Sequence, residues 1–220
     1  MDILDTLVGA ILAILTTIWI ESLRKPSLRI YIHKAGDANY TDRPAKKARF
    51  LYVELVNQPL PKVFRWLSRN AALQCHGTIN FHHLDGTNVF GRAMQIRWTN
   101  LPEPTPAIFV IGEKRFPFFD PRKFDHFSRV DIYPGESEIL NVASRFDEDE
   151  DCFGWSNESY YIEPIWRNPN WKLSKGRYLV NITVISAGEK CEGLFRLIND
   201  VGINDFRLEK ALPSDTIQEL

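Results

Sequence analysis

The residues best suited to chemistry fall in one run, Gln74-Cys-His-Gly-Thr-Ile-Asn-Phe-His-His. Thiol and imidazole groups are ligands for zinc and other borderline metal ions. On an extended strand, His76 and His82 share one face and Cys75 and His83 share the other. At about 3.3 Å per residue, these partners stand roughly 20–26 Å apart, too far to hold one ion. A site there needs a further ligand from elsewhere, such as His126 or Cys191, so neither a metal nor a cofactor is expected. The run Asp147-Glu-Asp-Glu-Asp151 offers oxygen ligands of the kind calcium and magnesium take. It lacks the alternation, central glycine and terminal glutamate of an EF-hand loop. The expectation is a solvated acidic loop that meets a basic partner.

Nucleophile elbows, phosphate-binding loops, dinucleotide fingerprints and His-Glu-x-x-His are all missing from the chain. No residue is therefore assigned a catalytic role, and a non-enzymatic protein is expected. Aromatic side chains form two groups. The first is Phe116, Phe118, Phe119, Phe124 and Phe127, interleaved with Arg115, Arg122, Lys123 and Arg129. The second runs from Trp155 through Tyr160, Tyr161 and Trp166 to Trp171. Packing of the domain and its long loops accounts for both groups. The sharper reading is a recognition surface centred on Arg115, Phe118, Phe119, Arg122, Lys123, Trp155 and Trp166, since loops on a rigid scaffold often carry binding residues. Basic and aromatic groups so mixed are able to stack on and neutralise a nucleotide or an anionic lipid headgroup.

Something must position these groups, and the N-terminus supplies the first element. Ile3 to Ile20 reads ILDTLVGAILAILTTIWI, with no charge after Asp5. Apolar residues, among them Ile3, Leu7, Ile11, Ile14 and Ile18, occupy every side of the implied helix, whereas a surface helix would keep a charged face. Eighteen helical residues extend about 27 Å, close to the thickness of a hydrocarbon core. Trp19, followed by Glu21, Arg24 and Lys25, suits a headgroup boundary. The acidic flank of Asp2 and Asp5 and the absence of a small-residue cleavage site argue against a cleaved signal peptide.

Charge gives the orientation. Lys and Arg are absent before the helix, and Arg24, Lys25, Arg29 and Lys34 follow it, so the globular part is expected in the cytoplasm. Eight basic residues between 24 and 49 against two acidic ones leave a local charge of +6, which attracts anionic lipid or simply solvates a loop and enforces topology; Arg24, Lys25, Arg29 and Lys34 are read as lipid-facing. Cys75, Cys152 and Cys191 are odd in number and widely spaced, which suits free thiols on that side. A net charge of −1 argues against nucleic acid as the partner. The lipid bilayer and a protein remain as expected partners, and Gly9 with Ala13 makes a small-xxx-small pair through which two helices can approach.

After Pro26 the period changes to two. Residues 27–33, 50–57, 71–83, 92–98, 108–111, 130–132, 138–142, 159–163, 177–185, 191–198 and 206–208 favour strands. Asp85-Gly86, Pro134-Gly135, Lys175-Gly176 and Ala187-Gly188 supply turns, and 62–70 reads as a short turn of helix. The chain thus divides into an anchor, 1–25, and a mainly β antiparallel sandwich, 26–220. Leu173-Ser-Lys-Gly-Arg-Tyr178 resembles the tyrosine corner of immunoglobulin-like sandwiches, with Val180 where antibody domains place a cysteine. A hairpin through 186–190 then pairs 177–185 with 191–198.

The combination of this helix, the stretch Glu21-x-x-Arg-Lys-Pro-x-Leu-x-Ile30 and a β-sandwich resembles a recurrent arrangement in uncharacterised prokaryotic single-pass membrane-anchored proteins. That resemblance implies no active-site residues. The sequence therefore points to a membrane-tethered binding or scaffold module that holds a partner at the cytoplasmic face. Two alternatives stand beside it: an effector whose sandwich senses a small anionic ligand and reorganises oligomerised anchor helices, and a hydrolase using His76 or His126.

Overall fold

A computed structural model describes residues 3–39, 45–64, 66–100, 107–112, 114–118, 129–160, 167–187 and 189–217. Helix α1 covers Ile3–Arg24. The strands in chain order are β1 (Leu28–Ile32), β2 (Gly36–Asn39), β3 (Lys47–Asn57), β4 (Ala72–His82), β5 (Met94–Gln95), β6 (Arg97–Trp98), β7 (Ala107–Ile111) and β8 (Lys114–Phe118). They continue with β9 (Val130–Ile132), β10 (Ser137–Phe146), β11 (Cys152–Gly154), β12 (Lys172–Leu173), β13 (Arg177–Ser186), β14 (Glu189–Ile198) and β15 (Arg207–Lys210).

The strands build two antiparallel sheets in a sandwich-like arrangement, as the alternating pattern predicts. One sheet runs β1-β3-β10-β11-β12, with β2 also on β3 and β6 also on β10. The other runs β15-β14-β13-β4-β5, with β9 also on β4. Strand β5 belongs to the second sheet and β6 to the first, so the chain changes sheets at the buried Ile96. Strand β13 shows why the pattern works. Val180, Ile182 and Val184 are fully buried and meet Val53, Leu55 and Leu140 of the facing sheet in one continuous core. Each such side chain contributes about 1.5–3 kcal/mol relative to exposure. The expected hairpin forms with Ser186 opposite Glu189. At Gly77 of β4 a Cβ would lie 2.0 Å from the Thr183 carbonyl oxygen of β13, so only glycine permits this pairing.

Two polar knots close the ends of the sandwich. At the end next to α1, Asn57 is fully buried. Its Oδ1 accepts from the Ser27 amide at 3.1 Å, and its Nδ2 donates to the carbonyls of Asn70 (3.1 Å) and Ile132 (3.0 Å). At the far end the Arg145 guanidinium joins the two sheets, donating to Asn199 Oδ1 at 3.2 Å and to the Val201 carbonyl at 2.6 Å. Asn199 in turn donates to the carbonyls of Glu150 and Ser174. The Tyr178 hydroxyl donates to the same Ser174 carbonyl at 2.9 Å, the bond that the tyrosine-corner pattern calls for.

Some expectations fail for local reasons. Of the expected strand 159–163, residues 161–163 lie outside the described residues, and Ser159 and Tyr160 belong to a 3-10 turn, Asn157–Tyr160, held by Ser159 Oγ, which donates to the Gly154 carbonyl. Of the stretch 62–70, the described residues hold a single 3-10 turn, Lys62–Phe64.

Candidate binding surface

The metal-ligand candidates on β4 are placed as the alternation requires and do not converge. Cys75 is fully buried under the core, and His82 lies on the opposite face with Nδ1 3.0 Å from the Gly86 carbonyl oxygen. His76 Nδ1 stands 2.8 Å from the Gln74 carbonyl oxygen, and the His83 ring lies 5.8 Å from that of Tyr178. Among the described residues, no group of three or more His, Cys, Asp or Glu is arranged to hold a metal. His126 lies outside the described residues. All three cysteines are free. Burial, reinforced by the Asp131 charge, pushes the Cys75 thiol up to about 12, and burial raises Cys152 and Cys191 as well. Arg145 near Cys152 and Arg29 near Cys191 pull the other way, but burial outweighs them, so none is an activated thiolate.

The acidic run finds its basic partner inside the chain. Asp147 accepts from the Lys47 amide at 2.9 Å, and Lys46 Nζ lies 2.6 Å from Glu148. Arg167 Nε is 2.7 Å from Asp149, Lys175 Nζ 3.3 Å from Glu150 and Lys172 Nζ 2.6 Å from Asp151. Exposed pairs of this kind add little stability, yet each answers one carboxylate with a local charge. The same contacts set the later part of the basic tract apart from the helix. Strand β1 leads away from α1, so Lys47 begins β3 at the far end, with Lys46 just before it, about 30 Å from Asn57 at 3.3 Å per residue. Lys47 and Arg49 pair there with Asp37. Arg24 and Lys25 do stand at the end of the helix, Arg29 is the second residue of β1, and Lys34 lies just beyond that strand.

The aromatic groups divide. Trp155 is only 7 % exposed and stacks on Phe50 at 4.4 Å between centroids. It belongs to a small second core with Ala48, Phe146 and Phe153 on the outer face of the first sheet. That burial removes Trp155 from the recognition surface expected of it. Trp171 is buried too, with Nε1 donating to Glu158 at 2.9 Å and the Arg92 guanidinium 4.4 Å from its ring centre. Phe119, Arg122, Lys123 and Trp166 lie outside the described residues. Arg115 and Phe118 are on β8, where the backbone alone is described.

One exposed apolar set is strand β7. Among the described residues it pairs with β8, in register from Ala107 with Phe118 to Ile111 with Lys114, around a turn in which Gly112 takes φ +63°. Ile108, Phe109, Val110 and Ile111 are 60 %, 53 %, 63 % and 71 % exposed. So much exposed apolar surface at Ile108, Val110 and Ile111 is unusual, and a two-stranded hairpin is marginally stable without a surface to lie on.

A second exposed set surrounds the end of α1. Leu7, Ile11, Ile14, Ile18 and Trp19 are 50–61 % exposed along the helix. The helix is long and apolar enough to cross a membrane, a description that a signal sequence also satisfies. Its last carbonyls are capped by the domain: Arg24 O accepts from the Asn70 amide and Lys25 O from Arg69 Nη1, both at 2.6 Å. Sequence reasoning missed the neighbouring loop, where Val63 and Trp66 are 77 % and 66 % exposed. The signal for it is a proline-bracketed stretch, Gln58-Pro-Leu-Pro-Lys-Val-Phe-Arg-Trp-Leu67, with too many large apolar residues for an ordinary solvated loop.

In comparisons with known proteins, the chain matches no family model, no curated protein and no solved structure.

Proposed function

We propose that the chain is a membrane-tethered, non-enzymatic binding module with an immunoglobulin-like sandwich on the cytoplasmic side, and that the β7–β8 hairpin holds a partner protein there. The observation that carries this reading is the hairpin's row of exposed Ile108, Phe109, Val110 and Ile111 on a domain joined directly to an apolar helix. The Tyr178 corner bond supports the immunoglobulin-like assignment. Arg24 and Lys25 after the helix support the cytoplasmic placement. A photo-crosslinking residue at Val110, introduced into the full chain in native membranes, tests the reading. One discrete protein adduct, lost when Phe109 is also changed to Lys, is the expected outcome. Adducts with lipid only would overturn it.

The capped joint favours one second reading. A simple tether works through a flexible linker, whereas a domain bonded to the last turn of its helix passes its own movements to that helix. Under that reading the sandwich senses a small anionic ligand and reorganises the anchor helices of an oligomer. Ligand-dependent oligomerisation in detergent, abolished by deleting residues 1–25, distinguishes it from the scaffold.

A further inference from the structure

We propose that the loop Gln58–Leu67 is a second membrane contact, which dips into the headgroup layer of the bilayer beside Trp19. This rests on the reading of α1 as a membrane span and adds a site that the helix alone does not predict. Both ends of the loop are pinned to the residues that follow the helix. The Gln58 amide donates to Ser27 O at 2.8 Å, while Arg69 and Asn70 donate to Lys25 O and Arg24 O. Between these pins the chain turns back along the helix, opposite to the direction of β1. Phe64 reaches the Trp19 ring edge-on, with centroids 6.0 Å apart and planes at 71°. Trp19 lies five residues before Arg24, about 7.5 Å along the axis. The loop therefore extends more than one helical turn past the end of α1, to the depth that an interfacial tryptophan occupies.

The composition of the loop suits that depth and fits water poorly. Val63 and Trp66 are more than half exposed, and Lys62 lies exposed beside them. Indoles and long cationic side chains are the groups that settle at the boundary between hydrocarbon and water. Two short bonds, from the Phe64 amide to Pro61 O and from the Leu67 amide to Phe64 O, hold the turn that presents them. A third ring reaches the same end of the sandwich: Tyr133, 57 % exposed, starts the turn whose Gly135 amide donates to Asn57 O. The occupant is lipid, since the exposed side chains continue the apolar surface of α1 itself.

Nitroxide labelling of the full chain tests the proposal, in vesicles of phosphatidylcholine and phosphatidylglycerol at 3:1 with Cys191 changed to Ser. Separate labels are placed at Leu12→Cys, Val63→Cys, Trp66→Cys and Glu150→Cys. Collision with oxygen, which concentrates in lipid, is compared with collision with a water-soluble nickel chelate. The expected oxygen-to-nickel ratio at 63 and 66 exceeds that at 150 at least five-fold and lies below that at 12. A ratio at 63 and 66 equal to that at 150, with position 12 in lipid, overturns the loop contact and leaves the anchor standing. Poor access to both reagents at 63 and 66 also overturns it, and indicates a second copy of the chain on the loop. A water-like ratio at position 12 overturns the anchor and the loop together.

Discussion

Replacing Asn57 by Ala tests whether one side chain governs the joint between helix and sandwich. Asn57 is fully buried, and its amide makes three bonds to main-chain groups of three separate segments, at Ser27, Asn70 and Ile132. Alanine removes the partner of the buried Ile132 carbonyl and of the less buried Ser27 amide and Asn70 carbonyl. At about 1 kcal/mol or somewhat more for each, the expected loss is about 3 kcal/mol. Urea unfolding of the full chain in a mild non-ionic detergent, followed by tryptophan fluorescence, measures it. With a slope of about 2–3 kcal/mol per molar for a domain of this size, the midpoint should fall by about 1–1.5 M urea. Hydrogen exchange should also quicken at the amides of Ser27 and Asn70, while those of β13 and β14 stay protected. Asn57→Asp retains an acceptor for Ser27 but turns a carboxylate toward two carbonyl oxygens. Its penalty should exceed that of alanine at neutral pH and shrink as the pH falls and the carboxyl is protonated. A midpoint shift below about 0.3 M for Asn57→Ala, or exchange that quickens uniformly, would refute the reasoning.

Tyr178→Phe removes only the hydroxyl that donates to Ser174, so it should cost about 1 kcal/mol by the same urea assay and leave the near-ultraviolet dichroism intact. Gly77→Ala sets a methyl group 2.0 Å from the Thr183 carbonyl oxygen and must part β4 from β13, with an expected loss of about 3 kcal/mol and weaker exchange protection along both strands. Two of the three thiols should be silent in the native protein. With Cys75 at about 12, roughly one molecule in ten thousand carries that thiolate at pH 8, and Cys152 is also buried and raised, so an aromatic disulfide reagent should titrate these two only after unfolding.

The sequence makes the local half of this architecture readable. Tyr178, Val180, Ile182 and Val184 alternate because β13 buries one face, and the turn that follows leads straight into β14. The bond from the Tyr178 hydroxyl to the Ser174 carbonyl was legible as a spacing, since it spans four residues. The non-local half leaves no such trace. Asn57, Arg145 and Asn199 look like ordinary polar residues at strand ends, and their importance comes from partners 13 to 75 positions away. The acidic run shows the same limit. Five adjacent carboxylates suggest an external cation or partner, and residues at 46, 167, 172 and 175 answer them once the fold is made. Trp155 is hidden for a related reason: nothing local says that the outer face of β3 and β10 carries a second small core. The strands β2, β11 and β12 are too short, at four, three and two residues, for a period to register.

These placements concentrate the unexplained surface in one half of the molecule. The far end is settled chemistry, with its carboxylates paired and Arg145 tying the sheets together. The end next to α1 is different. There the domain caps the helix, Phe64 meets Trp19 edge-on, Val63 and Trp66 of the same loop are exposed, and Tyr133 is exposed at the adjoining turn. The described residues that flank the hairpin in sequence lie in the same half: the Thr99 amide bonds to Ile139 O, and Val130 pairs with Cys75, only a few residues along the strands from Asn57 and Asn70. Under the proposed tether this clustering suits a domain seated against a bilayer, with lipid over the apolar loop and the exposed face of β7 turned to a partner.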